Sequence, residues 1–425
     1  MQNLISLLGI PVLLLAAWAL SENRRAFPWR VVLWGLGLQA GLALLLLKTP
    51  GGQAVFAGAR TFVTRLLAFT DAGASFLWGN LFRTSPDLVQ YIGPEGGYIQ
   101  VTNSVTGQLQ PVGVVFAIHI LPTIIFFSSL MALLYHLGVM QQVIRGMAWI
   151  MRRTMGTSGS ESFSCAANIF VGQTEAPLVI RPYLPTMTRS ELMAVMIGGF
   201  ATVAGGVMAA YVRFGVDAGH LLAASVMSAP AALVIAKIML PETERSPTHG
   251  HVTLNVEREY ANVLDAAAGG AGVGLKLAAN IGAMLLAFIA LVAMLNYGLG
   301  FAGLSLQKIL GWVFAPVAFT MGVPWRECTA FGGLLGTKIA VNEFLAYIDL
   351  VGLKESGALS PRSVVIATYA LCGFANFSSI AIQIGGIGSL VPARRGDVAA
   401  LGLKAMFGGA LASWLTATIA GVLIG

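Results

Sequence analysis

Apolar runs of about twenty residues recur along this chain, and few folds can accommodate them. The stretches Leu192 to Tyr211, His220 to Leu240 and Leu275 to Leu299 are each long enough to cross a hydrocarbon core of ~30 Å as a helix. In lipid every backbone N–H and C=O needs an internal partner, so only helices or a closed barrel can span. A barrel would show short segments of alternating polarity. Only 10% of the residues are charged, against roughly 25% in a soluble domain. Hydrophobic residues make up 56%, and the mean hydropathy is +0.79. The expected fold is an all-α polytopic membrane protein with about eight transmembrane helices, plus two re-entrant helical hairpins in an inverted repeat.

The net charge of +7 does not point to nucleic acid, because basic residues beside spans are the usual positive-inside signal. Cys165, Cys328 and Cys372 are scattered in apolar surroundings without a CxxC spacing, so buried free thiols are expected. The five histidines form no ligand pattern, and His249 and His251 sit in a polar loop.

In chain order, Leu4 to Leu20 reads as a retained first span. Its positive charges, Arg24, Arg25 and Arg30, follow the apolar run, where a signal peptide would carry them before it. A second span covers Val31 to Leu47. The piece Ala54 to Phe69 is amphipathic and suits an interfacial helix. Gly93, Gly96 and Gly97 mark a loop, and a third span runs from Val112 to Leu137. The basic amphipathic stretch after it carries Arg145, Arg152 and Arg153 and belongs on the cytoplasmic side. Spans four (Leu192 to Tyr211) and five (His220 to Leu240) are joined by an outer turn holding Arg213 and Asp217. A cytoplasmic loop with an adjoining helix covers Pro241 to Gly274. Span six is Leu275 to Leu299, followed by a surface helix, Leu304 to Phe319. Spans seven (Val364 to Leu390) and eight (Ala399 to Ile424) complete a chain with both termini outside.

Two stretches do not fit as simple spans. From Gly156 to Pro182 the apolar content is short and interrupted, and basic residues flank both ends. Here Gly172 and Pro177 bracket Gln173, Thr174 and Glu175, and each is a reason for a helix to break. The second stretch, Val323 to Leu353, holds GTKIAVNEFLAY with Glu343. A charge at the bilayer centre costs ~2.5–3.5 kcal/mol on insertion scales, so each glutamate should have partners. They could accept hydrogen bonds from a polar ligand, or pair internally, Glu343 with Lys338 for instance. For Lys338 a snorkelling, structural place is expected. Asn342 could contact ligand or cap a helix. Three crossings separate the two hairpins, which puts them on opposite faces of the membrane and predicts an inverted repeat. GFATVAGGVMA from Gly199 can be laid on GFANFSSIAIQ from Gly373.

In span seven Asn376 and Ser379 share a helical face, and Phe374 could stack on a flat ring or simply pack. Asn168, Thr202 and the small residues Ala204, Gly205 and Gly206 could supply oxygens and unwound backbone to a sodium ion. The same residue types also serve helix contacts.

The two hairpin stretches closely resemble the concentrative nucleoside transporter family. Gly336, Lys338, Asn342, Glu343, Phe344, Ala346 and Tyr347 match its Gly-x-Lys-x-x-x-Asn-Glu-Phe-x-Ala-Tyr signature. Gly172 to Glu175 match its Gly-Gln-Thr-Glu stretch, and Gly373 to Ser379 its Gly-Phe-Ala-Asn-Phe-Ser-Ser stretch. Leu345 departs mildly, since many members have Val there. The resemblance implies a cation-coupled symporter importing nucleosides such as uridine, cytidine or adenosine, a homotrimer with a scaffold and a mobile transport domain moving in elevator fashion. It implies base contacts from Gln173, Thr174, Glu175 and Phe374 with Val207 lining the pocket, and ribose contacts from Glu343, Asn376 and Ser379. It also implies a sodium site from the Asn168 and Thr202 side chains and the Val171 and Val203 carbonyls. Sodium is the coupling ion expected; some members use protons. No other cofactor is expected. The corresponding division is 1–137 scaffold, 138–240 first transport half, 241–320 loop, scaffold span and surface helix, 321–425 second transport half. The location is the plasma membrane, the inner membrane if the source is bacterial.

Rival readings are weaker. A solute with its own carboxylate should meet cationic groups, and the candidate groups here are acids and amides. An intramembrane enzyme would need a nucleophile–base pair or metal ligands at the hairpins, and a channel would need a repeated filter.

Overall fold

The structure is a computed structural model and describes residues 2–82, 100–102, 109–111, 115–244, 246, 248 and 260–424. The loop glycines 93, 96 and 97 and the histidines 249 and 251 lie outside the described residues. The described chain is helical except for one short antiparallel ladder, Gln100–Thr102 with Leu109–Pro111, which the all-α expectation did not include.

Three helices open the chain: α1 (Gln2–Ala19), α2 (Trp29–Lys48) and α3 (Pro50–Trp78). The interfacial piece expected at Ala54 to Phe69 is only the middle of α3. This helix is 29 residues long and buries Asp71 near its end. A single turn, Phe116–His119, leads into α4 (Leu121–His136), and α5 (Val139–Met155) follows as the basic amphipathic helix.

From α5 onward the chain repeats one plan. In the first copy, α6 (Gly159–Ala167) and the short α7 (Ala176–Val179) form a hairpin. A broken span follows, α8 (Arg189–Ala201) then α9 (Gly205–Arg213), and α10 (Ala218–Met239) ends the copy. The second copy starts at the surface helix α12 (Leu306–Thr320). Its hairpin is α13 (Trp325–Ala340) and α14 (Glu343–Glu355), its broken span α15 (Pro361–Leu371) and α16 (Phe377–Leu390), and its last helix α17 (Arg395–Leu423). Between the copies lies α11 (Val263–Gly300). The surface helix and the first hairpin arm, α12 and α13, are bent by 116° to each other.

Spans four and seven therefore differ from the continuous helices expected over Leu192 to Tyr211 and Val364 to Leu390. Both are broken, at residues 202–204 and 372–376. The two breaks face each other: Gly373 adopts φ +111°, and a Cβ there would meet the Phe200 carbonyl oxygen at 2.6 Å. Only glycine allows both that conformation and that approach. Among the described residues seven helical stretches are individually long and apolar enough to cross a membrane. The bent pair α12 and α13 would make an eighth if taken as one span, and α15 and α16 are each too short to cross alone.

α8, α10 and α17 pack on one another and bury residues on every side, as helices in the centre of a membrane bundle must. α1 and α2 lie against α10 and α17. One side of α4 packs on α9, and the other pairs closely with α11. There Gly270 and Gly274 let α11 meet the α4 backbone at Ser129 and Ile125, and the Ser129 hydroxyl donates to the Ala267 carbonyl at 2.8 Å. α11 starts twelve residues before the expected Leu275, and its 38 residues make it roughly 57 Å long.

Candidate substrate and ion site between two hairpin tips

The second hairpin turns in two residues, Val341 and Asn342. Asn342 caps α14, its side chain accepting from the Leu345 N–H at 3.0 Å, which is the capping place. Glu343 therefore stands in the first turn of α14, where the helix dipole favours a negative group. It is buried, 3% exposed. Its Oε1 accepts from the Tyr211 hydroxyl at 3.1 Å, and its Oε2 from Asn376 Nδ2 at 2.9 Å. Those bonds replace the internal pair considered with Lys338. Lys338 is fully buried rather than snorkelling. It donates to the Ala370 and Cys372 carbonyls at 3.0 and 3.3 Å, satisfying groups freed where α15 ends.

Asn376 begins α16, and its Oδ1 accepts from the Ser379 N–H at 2.9 Å and from the Ser378 hydroxyl at 2.7 Å. Capping thus fixes the amide so that Nδ2 must face Glu343. Ser379 is buried on the same face, and Phe374 is half-buried in the break just before. Val207 lies one turn before Tyr211 on α9 and is buried.

The first hairpin tip is less regular. α6 ends at Ala167, and residues 168–175 turn without forming a helix. Gln173 accepts at Oε1 from Gln383 Nε2, 3.1 Å away on α16. The Thr174 methyl packs on Gly386, also on α16; a Cβ at Gly386 would meet it at 2.9 Å. Glu175 folds back over its own tip, and a Cβ at Gly172 would collide with its carboxylate. The structure thus brings Gln173, Thr174, Asn376, Ser379 and Glu343 to one helix, while Glu175 is turned toward its own turn.

The residues expected to hold sodium lie where this tip meets the break between α8 and α9. The Gly205 N–H donates to the Phe170 carbonyl at 2.9 Å, tying tip to break. Asn168 is fully buried; its Nδ2 donates to the Ser164 carbonyl at 3.0 Å, while its Oδ1 accepts from no described residue. Thr202 is also buried, its hydroxyl donating to the Gly198 carbonyl at 2.8 Å and keeping its lone pairs. Val171 and Val203 supply backbone outside regular helix. A buried acceptor without a donor is costly, so this donor set fits a cation that needs oxygens.

A family model described as Na+ dependent nucleoside transporter C-terminus matches residues 220–421, one described as its N-terminus matches 8–81, and one described as nucleoside recognition matches 117–218. An "Uncharacterized transporter" of Haemophilus influenzae is 44% identical over 436 residues, covering 100% of this chain and 99% of its own length. Sodium/nucleoside cotransporter 1 of Rattus norvegicus is 43% identical over 443 residues, which are 99% of this chain and 64% of the rat protein. The chain belongs to the concentrative, sodium-dependent nucleoside transporter family. The structure of CNTnw in an inward-facing substrate-bound state matches with TM-score 0.89 at 44% identity, over 99% of both chains. A CNTnw variant in an intermediate state matches with TM-score 0.90 at 44% identity over 100% of both chains. The family is one of multi-pass membrane transporters, not of enzymes. Cys165, Cys328 and Cys372 are free and buried, as expected.

Three residues of this transporter escaped the sequence reading in the place they occupy. Tyr211 was the nominal end of span four. Gln383 stands seven residues after Asn376, and that i, i+3, i+7 polar row (376, 379, 383) was a legible signal. Arg213, expected in an outer turn, is the last residue of α9, and its side chain, 4% exposed, forms an ion pair with Asp71 of α3.

Proposed function

We propose that this protein is a sodium-coupled symporter that imports nucleosides such as uridine, cytidine or adenosine across the plasma membrane. The observation that carries this reading is the use of one helix by both tips. Asn376 of α16 holds Glu343 of the second hairpin, and Gln383 of α16 holds Gln173 of the first. Seven residues separate them, roughly 10 Å along the helix, the reach of a base joined to its ribose. A carboxylate and amide at one end suit sugar hydroxyls, and an amide at the other suits a base edge. In this reading Glu343, Asn376 and Ser379 bind ribose; Gln173, Thr174, Glu175 and Phe374 meet the base, and Val207 closes the pocket.

Sodium travels as a second substrate, held by the Asn168 and Thr202 side chains and the Val171 and Val203 carbonyls. A neutral nucleoside gains nothing from the membrane potential, whereas one charge crossing 100 mV supplies ~2.3 kcal/mol, roughly forty-fold accumulation. Because the ion site and Gln173 share one hairpin tip, filling the first orders the second. We take 138–240 and 321–425 as the body that carries both sites across, in elevator fashion. The stationary part is 1–137 and 241–320, with the α4–α11 pair at its centre. In this reading the homotrimer assembles on α11, whose length is largely exposed on the protomer.

Vesicles containing the purified protein should accumulate labelled uridine and adenosine when a sodium gradient points inward. Equal uptake with and without that gradient would overturn sodium coupling, and no uptake of either nucleoside would overturn the substrate class.

A further inference from the structure

We propose that Gln383 is a positioning residue that sets which edge of the Gln173 amide the nucleobase meets. This rests on the reading that Gln173 contacts the base. Gln383 is 1% exposed and lies on the buried face of α16, below Asn376 and Ser379. Its Nε2 donates twice, to the Met196 carbonyl at 3.0 Å and to Gln173 Oε1 at 3.1 Å.

The direction of this relay is decided by its far end. A backbone carbonyl can only accept, so the Gln383 atom facing Met196 must be the nitrogen. Turning the Gln383 amide over would set its oxygen against that carbonyl oxygen. The second hydrogen of the same NH2 group then points at Gln173, and the Gln173 atom that receives it must be the oxygen. The Gln173 NH2 group is thereby turned away from α16 and left as the free edge. Gln173 consequently offers N–H donors, and the matching feature of the substrate is an acceptor on the base, a carbonyl oxygen or an unprotonated ring nitrogen.

Gly199 of α8 makes the arrangement possible. A Cβ there would come within 2.8 Å of both Gln173 Cβ and Gln383 Nε2. Three elements, the first hairpin tip, the broken span four and the broken span seven, thus converge on one amide pair.

The test measures binding to the purified transporter in saturating sodium. The probes are uridine and two analogues in which either the 4-oxo or the 2-oxo group is replaced by hydrogen. Wild type should bind one analogue about tenfold more weakly than uridine, the loss of one hydrogen bond in a buried site. Gln383→Met, close in volume, should reduce that preference to within about twofold of unity. Gln173→Met should do the same, and the double variant should lose nothing further. If Gln383→Met keeps the wild-type preference while Gln173→Met loses it, Gln383 does not position the amide and the proposal fails, with the site reading intact. If Gln173→Met also keeps it, or wild type shows none, Gln173 does not read the base and both fail. Gly199→Ala reaches the same pair from α8 and should also flatten the preference. Should Gln383→Met not fold, an unchanged preference in Gly199→Ala overturns the proposal.

Discussion

The two hairpins are copies of one plan, yet they are constructed differently. The second has arms of 16 and 13 residues and a two-residue turn, and its glutamate is held by two side chains from other elements. The first has arms of 9 and 4 residues and an eight-residue irregular tip, with a buried asparagine oxygen left open. Regular helix with satisfied bonds is rigid, and irregular backbone with an open acceptor is ready to be completed by a ligand. In the proposed reading, the second hairpin is the preformed half of the site, and the first is the half that an ion finishes.

The sharpest way to break this contrast is to neutralise each glutamate in turn. Glu343→Gln should abolish uridine uptake, at least about 100-fold in kcat/KM, with the protein still folded in the membrane, because charge-assisted bonds to a buried group are lost. Glu175→Gln should cost about tenfold, since that carboxylate leans on its own turn. Equal losses would erase the distinction. Next, Asn168→Ala should raise the sodium concentration for half-maximal uptake about tenfold, ~1.4 kcal/mol, and leave the KM for uridine at saturating sodium within twofold. An unchanged sodium response would remove Asn168 from the ion site. Tyr211→Phe deletes one of the two bonds to Glu343 and should raise the KM for uridine about fivefold, ~1 kcal/mol, without altering the sodium response. The smallest effect is expected for Asn342→Ala, which removes the cap of α14 and should lower thermal stability in detergent by about 1 kcal/mol.

Much of this was readable from residues alone. Apolar length gave the spans, and the arginines around Gly156 to Pro182 gave a hairpin in place of a crossing. Counting crossings gave the inverted repeat. Unwound backbone was read around Thr202 to Gly206 only as a possible ion site, and both spans were drawn as continuous although GFATVAGG and GFANFSS had been matched, because apolar content says nothing about φ. A glycine at φ +111° is indistinguishable by composition from one inside a helix. Lys338 was misplaced for a related reason. A lysine near a helix end usually reaches water, and here the carbonyls freed by a break 32 residues away serve in its place. Asp71 and Arg213 are 142 residues apart, and nothing in either neighbourhood announces the other.

The meeting of Gly373 with the Phe200 carbonyl has one more consequence. In the proposed reading, the backbone beside the ion site and the backbone leading into the sugar pocket meet at Gly373, with no side chain between them as cushion. On that reading a shift as one fills would be felt directly by the other. By reciprocity, whatever factor sodium adds to the hold on the nucleoside, the nucleoside returns to the hold on sodium. On that reading a partly loaded carrier would be the scarce species, and a single glycine's want of a methyl group would suppress wasteful half-cycles.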